Sequence, residues 1–262
     1  MDLTYWKKQK ATEPLYPDIE WAKPEQRAKR GRLGIIGGNK LGFSGAADGY
    51  STALSAGAGE VRVLLPDALK KAVPKSMTDI VFAPSTVSGG LSRDGLADMI
   101  ALGNYCDTIL LIGDSGRNSE TTITYEDFLR EWPGRVVITR DAIDLFRNSA
   151  TAVVERPNTT LVLSFAQLQK LFQAIYFPKI LSFSMQLLQL VEALHKFTSV
   201  YPVTIVVLHK DTIVVSADGR VTTTPWENPM LIWRGITAAK IATYQLWNPE
   251  RLLEATTAAL LE

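Results

Sequence analysis

From residue 33 onward, short apolar runs that stop at glycine or at a polar pair alternate with longer stretches whose apolar positions recur every three or four residues. The runs at 33–36, 60–65, 80–82, 108–112, 135–138, 161–163, 203–208 and 212–215 read as strands. Most of them lack the apolar/polar alternation of a half-exposed strand, so they predict strands buried on both faces of a sheet. Between them, 46–56, 66–72, 96–104, 121–132, 142–146, 183–197, 236–247 and 249–261 read as helices, with a further helix after 164–167. Residues 84–90 and 225–230 read as loops, and Asp218-Gly219 as a hairpin turn. In 183–197, Met185, Leu188, Val191 and Leu194 recur at three-residue spacing and predict a core-facing stripe. Strand and helix alternating in this way predict a three-layer α/β fold with a largely parallel central sheet flanked by helices.

Residues 1–30 do not fit that rhythm. Pro14, Pro17 and Pro24 block a long helix, while Tyr5, Trp6, Tyr16 and Trp21 make the segment too aromatic for a disordered tail. It reads as an arm packed over the domain or a neighbouring subunit, with residues 31–262 as one domain. The basic stretch 23–32 reads as a solvated approach to the first strand.

Composition narrows the function classes. The chain has 262 residues, 46% of them hydrophobic, and a net charge of +1. It can bury a sizeable core, and it lacks the basic excess of a nucleic-acid binder. Cys106 is the only cysteine, so neither a disulfide framework nor a thiolate metal site is expected, and the two histidines, His195 and His209, are not at ligand spacing. No metal site is expected. With no signal-like leader and no apolar run of about 18 residues, the chain reads as soluble and cytoplasmic, without a membrane partner.

Two glycine-bearing turns follow predicted strands. The first, 37–45, holds four glycines with Asn39 and Ser44 among them, and it opens a helix that begins with Ala46. Glycine lets backbone N–H groups approach a ligand closely. The second is Gly113-Asp114-Ser115-Gly116-Arg117-Asn118. Ligands of open parallel sheets sit beyond the carboxyl ends of the strands, so both turns would face one crevice able to hold a nucleotide or dinucleotide. Tight turns inherited with the fold are the plainer alternative, because neither turn is a GxGxxG or Walker motif. Asp114 reads as a cap for the helix starting near Ser119, or as a partner for a ribose hydroxyl. Asp141 reads as the cap of 142–146, with a role as a base as its alternative. His195 reads as a surface or satisfied residue.

The order of motifs resembles the ribokinase-like superfamily and, within it, the ADP-dependent NAD(P)H-hydrate dehydratases, the carbohydrate-kinase domain of the YjeF type. IIGGNKLGFSGAA followed by ALSAGAGEVRVLLP carries the resemblance most specifically. LIGDSGR is similar to the family's IGPGLGR, ITRDAID to LDADALN, and VVLHKDTIVVSADGRV to VVLKGADTVIADPDGRV. NPMLIWRGITAAKIA stands in the place of NPGMATGGTGDVLAG. The resemblance implies a ribokinase-like fold over roughly residues 30–248. It implies a substrate side at Asn39, Ser44, Gly45, Ala46, Gly113, Asp114, Ser115, Gly116 and Arg117, joined by Ser164 and Gln167 where the family has HPGE. It implies a nucleotide-phosphate side at His209, Lys210, Asn228, Arg234, Gly235 and Thr237. Hydrated NAD(P)H and ADP, or ATP with Mg²⁺, are the implied ligands, and a homo-oligomer or pairing with a genuine family member is the implied assembly.

The departures bear on activity. The acid/base aspartate of GGTGD falls on Ala238, only Gly235 of its glycines remains, and no Asp or Glu occurs between Asn228 and Trp247. Losing a general acid or base commonly costs about 10²- to 10⁴-fold in rate. The expectation is therefore a divergent dehydratase-like protein with a nucleotide-sized crevice, weak or inactive as an enzyme. The alternatives are an active dehydratase using a relocated carboxylate, Asp141 or Asp114, or a small-molecule kinase, which would also need the missing aspartate.

Overall fold

The computed structural model describes residues 3–261. A single ten-stranded sheet carries the fold, in the order β1-β10-β9-β8-β7-β6-β5-β2-β3-β4. The strands are β1 (Trp6–Lys8), β2 (Arg32–Gly37), β3 (Glu60–Pro66), β4 (Ile80–Ala83), β5 (Thr108–Gly113), β6 (Arg135–Thr139), β7 (Thr159–Leu163), β8 (Val203–His209), β9 (Thr212–Ala217) and β10 (Arg220–Pro225). From β4 to β8 every neighbouring pair is parallel. The hairpin β8-β9-β10 is antiparallel, and β1 joins β10 in parallel.

Helices cover both faces. They are α1 (Asp18–Trp21), α2 (Ser44–Ala56), α3 (Leu96–Tyr105), α4 (Ser119–Glu131), α5 (Ala142–Leu145), α6 (Ala150–Glu155), α7 (Phe165–Ala174), α8 (Leu187–Thr198), α9 (Pro229–Trp233), α10 (Ile236–Trp247) and α11 (Leu252–Ala258). Because successive strand residues point to opposite faces, β5 splits its side chains between two cores. Ile109 and Leu111 belong to the core that also takes side chains from α3, α4 and α8, while Leu110 and Ile112 belong to the one that takes side chains from α2, α10 and α11. Helix α2 ends as its sequence predicts, with Gly57 in the left-handed region at φ 102°.

The helix predicted at 66–72 is instead the end of β3 followed by a 3₁₀ turn, Asp67–Leu69. Helix α8 starts later than 183 because Gln186 and Gln189 form a reciprocal cap there. Met185 is buried ahead of it, and Leu190 rather than the half-exposed Leu188 completes the buried stripe. Pro229 opens α9 inside the predicted 225–230 loop, the helical position at which its missing N–H costs nothing. The last helix covers 252–258 only, and α6 had no counterpart in the sequence reading.

The N-terminal segment is tied to the sheet. Trp6 Nε1 donates to Thr223 Oγ1 at 3.0 Å, Gln9 Nε2 donates to the Thr257 carbonyl at 2.8 Å, and Ile19 is fully buried. Trp21, in contrast to the expectation for the aromatic residues of this arm, is 81% exposed. No helix among the described residues is long and apolar enough to cross a membrane.

Candidate functional site

The carboxyl ends of β2, β5, β6 and β7 define one rim of the sheet. Gly37 and Gly113 end adjacent strands, and Gly38 N–H donates to the Gly113 carbonyl at 2.8 Å. A Cβ on Gly37 would sit 2.5 Å from that carbonyl, so only glycine lets the two turns lie this close. Asn39 ties them together further, donating through Nδ2 to the Asp114 carbonyl while its Oδ1 accepts Leu41 N–H at 2.7 Å.

Asp114 is the centre of the arrangement. Its backbone is left-handed at φ 57°, an uncommon state for a residue with a side chain, and its N–H donates to Asp141 Oδ1 at 2.8 Å. Its carboxylate accepts the N–H of Gly45 at 2.8 Å in the first turn of α2. It also receives both arms of Arg140, with Nη2 to Oδ1 at 2.6 Å and Nη1 to Oδ2 at 3.1 Å. Less than a fifth of either side chain is exposed. A carboxylate at a helix N-terminus is stabilised by the free N–H groups and the dipole, so Asp114 caps α2 from a distance. It does not cap α4. Asn118 does that, accepting Glu120 N–H at 2.8 Å. Asp141 likewise makes no side-chain cap to α5, since its carboxylate holds Asp114 in place.

Arg140, the residue the sequence reading missed, lies between two helix starts. A Cβ on Gly45 would fall 1.6 Å from its Nη1, and one on Gly235 would fall 3.2 Å from its Cδ. Gly235, left-handed at φ 84°, begins α10. Ala239 N–H is the first of that helix to find a carbonyl, that of Gly235, which leaves the three preceding N–H groups without a backbone acceptor. The buried Thr237 hydroxyl beside them has no partner among the described residues. Ala238, next in the helix, is fully buried.

Two clefts open on this rim. One, of about 740 Å³, is lined by Asn39, Ser44, Asp114, Gly116, Arg117 and Asp141 among others. The second, of about 430 Å³, lies over β6 and β7 and includes Arg140, Ser164, Gln167 and Trp233. Asp141, Asp144 and Lys170 border both. Ser164 and Gln167 form a capping box for α7, and Gln167 Nε2 also donates to the Arg140 carbonyl at 2.8 Å. Ser115 turns inward instead, bonded to the Tyr125 hydroxyl at 2.8 Å. Burial raises the Tyr125 phenol far above its ordinary value.

The residues grouped as a phosphate side line neither of these two clefts. His209 is buried rather than exposed, with Nε2 3.0 Å from the Met185 carbonyl and its ring 5.0 Å from Phe165. Lys210 is exposed on the β8–β9 turn. Asn228 borders a separate cleft with Lys10 and Trp226. Arg234 forms a two-point pair with Asp48 on α2, at 2.9 and 3.0 Å, and Trp233 beside it is exposed rather than buried. His195 is satisfied, stacked on Tyr5 at 3.8 Å with Nδ1 facing the Gly219 carbonyl. No group of three or more His, Cys, Asp or Glu among the described residues is placed to hold a metal ion.

No family profile matches the chain, and no curated protein matches it in sequence. Solved structures do resemble it. A ribokinase-like superfamily protein of Enterococcus faecalis V583 is 14% identical, with 99% of this chain and 86% of that one superposed at a TM-score of 0.72. The ADP/ATP-dependent NAD(P)H-hydrate dehydratase of Bacillus subtilis, co-crystallised with ATP and Mg²⁺, is 12% identical over 92% of this chain and 84% of its own, at 0.60. Phosphomethylpyrimidine kinase of Clostridium difficile 630 is 10% identical over 87% and 96%, at 0.53. These likenesses define the class of the fold: a ribokinase-like α/β domain.

Proposed function

We propose that this chain is a divergent NAD(P)H-hydrate dehydratase-like protein that binds a nucleotide or dinucleotide at the carboxyl ends of its parallel strands and turns it over weakly or not at all. The observation that carries the reading is Ala238, a fully buried methyl group at the position where the resemblance puts the acid/base aspartate. The two carboxylates considered as substitutes are already engaged. Asp114 holds Gly45 N–H and Arg140, and Asp141 holds Asp114 N–H. Binding is supported by the unbonded N–H groups at the start of α10, which suit a phosphate of ADP or ATP, and by the cleft of about 740 Å³ over the glycine turns, large enough for a dinucleotide portion. With no metal-ligand cluster among the described residues, Mg²⁺ would arrive with ATP. A reducing cytoplasm and self-association complete the reading.

Purified protein given hydrated NADPH with ADP, or with ATP and Mg²⁺, is expected to regenerate no NADPH. Robust turnover that falls in Asp141→Asn or Asp114→Asn would replace this reading with an enzyme using a relocated carboxylate. ADP, ATP, NADH or NADPH at a hundred times its dissociation constant should stabilise the fold by about 2.7 kcal/mol. Unchanged melting with all four would remove the nucleotide from the proposal.

A further inference from the structure

A narrow apolar pocket lies apart from the glycine turns, between α5, α6 and α7, with Leu161 of β7 as its floor. Phe146, Ala150, Val153 and Leu171 form its walls, each of them at most 9% exposed. Its volume is about 40 Å³, roughly a quarter of a cavity that holds a benzene ring (~150 Å³). Water would gain nothing by entering, because a buried water needs two to four polar partners and these walls offer almost none. A short alkyl group suits it.

Its mouth is polar and is shared with the large cleft through Asp144, Arg147 and Lys170. Asp144 is compensated, with Lys170 Nζ at 3.9 Å and Gln167 Nε2 at 3.3 Å. Arg147 has no ion pair or hydrogen bond recorded among the described residues, so it is the uncompensated cation at the opening. A guanidinium presents a planar fork that matches a carboxylate or phosphate group at two points. Apolar interior and forked cation at the rim together specify one ligand chemistry.

We propose that this pocket is a binding site for a short aliphatic acid or alkyl phosphate, with the alkyl group inside and the anion on Arg147. The site does not depend on a nucleotide in the neighbouring clefts.

Calorimetric titration with acetate, propionate, butyrate, inorganic phosphate, propyl phosphate and 1-propanol tests it. Affinity should rise roughly fourfold for each methylene until the pocket is full. Butyrate against propyl phosphate distinguishes the two head groups. Arg147→Ala should weaken every anion at least tenfold, and Ala174→Leu, which fills the pocket from α7, should remove the dependence on chain length while the anion still binds. Saturation-transfer NMR on the unmodified protein should mark the terminal methyl of the chain more strongly than the carbon next to the acid, independently of how the variants fold. Equal response to acetate and butyrate, no saturable binding of any acid, or unchanged chain-length dependence in a folded Ala174→Leu protein would overturn the proposal.

Discussion

Asp114, Arg140 and Gly45 work as one unit. Asp114→Asn keeps the shape but loses the charge that satisfies both Arg140 and the start of α2, so unfolding free energy should drop by about 1–3 kcal/mol in a denaturant titration. Gly45→Ala should break the same pair while leaving the fold intact, because the atom its methyl meets is the mobile end of Arg140. Cys106 allows a prediction in pH. Burial pushes its thiol up to about 12 from an ordinary value near 9.0. The unfolded chain therefore ionises first as pH rises, so stability is fully present below about 9 and falls by roughly 1.4 kcal/mol per unit until the folded thiol ionises near 12. The slope that distinguishes the wild type from Cys106→Ala between these limits is the measurement, and equal slopes would refute the assignment. At this scale the sequence was only partly legible. Gly37, Gly113 and Asn39 announced a tight double turn, but a polar Thr139-Arg140-Asp141 after a buried strand was the sole sign of Arg140. Its meaning depends on Asp114, 26 residues away.

Among the elements, predictions turn on ends. Asn118 is the cap of α4, and Asn118→Ala should cost about 0.5–2 kcal/mol, seen as a lower midpoint with an unchanged denaturant slope. The loss should not be repaired by any change at Asp114. Strands were readable because they are buried on both faces and so appear as unbroken apolar runs. Helix limits were less readable, since side-chain caps such as Gln186 with Gln189 decide them, and those depend on rotamers rather than on composition. The three-residue strand β1 escaped notice for a different reason: Trp6-Lys7-Lys8 has no apolar pattern, and it is a strand only because β10 offers it hydrogen bonds. Gln9 anchors that addition. Gln9→Ala would take from the Thr257 carbonyl the shorter of its two hydrogen bonds, leaving Leu260 N–H at 3.2 Å, and it should destabilise the protein by about 0.5–1.5 kcal/mol and raise amide exchange in β10 more than in β5.

For the whole molecule, the sheet separates architecture from chemistry. Parallel strands bring Gly37, Gly113, Arg140 and Ser164 to one rim although they lie far apart in the chain, and the alternation of elements foretold that convergence. What it did not foretell is that the rim is largely knitted to itself, with a carboxylate of the chain occupying the start of α2 where a bound anion would otherwise be welcome. Residues drawn from the β8–β9 turn, from Asn228 and Arg234 at the ends of α9, and from the first turn of α10 line neither cleft of that rim. Motif order therefore carries the fold, while the contacts of the rim depend on individual side chains.

The pairing of β1 with β10 joins positions about 215 residues apart, Trp6 with Val221. A ribosome adding about 5–20 residues per second would release Trp6 on the order of 10–40 s before its partner Val221 exists. Throughout that interval the other edge of the sheet can assemble, but the first strand has nothing to pair with. Strand β1 is thus synthesised before the rest of the sheet and is among the last of its strands to be fixed. A burst of protection in β2, β3 and β5 ahead of β1 in pulse-labelled translation intermediates would display that order directly.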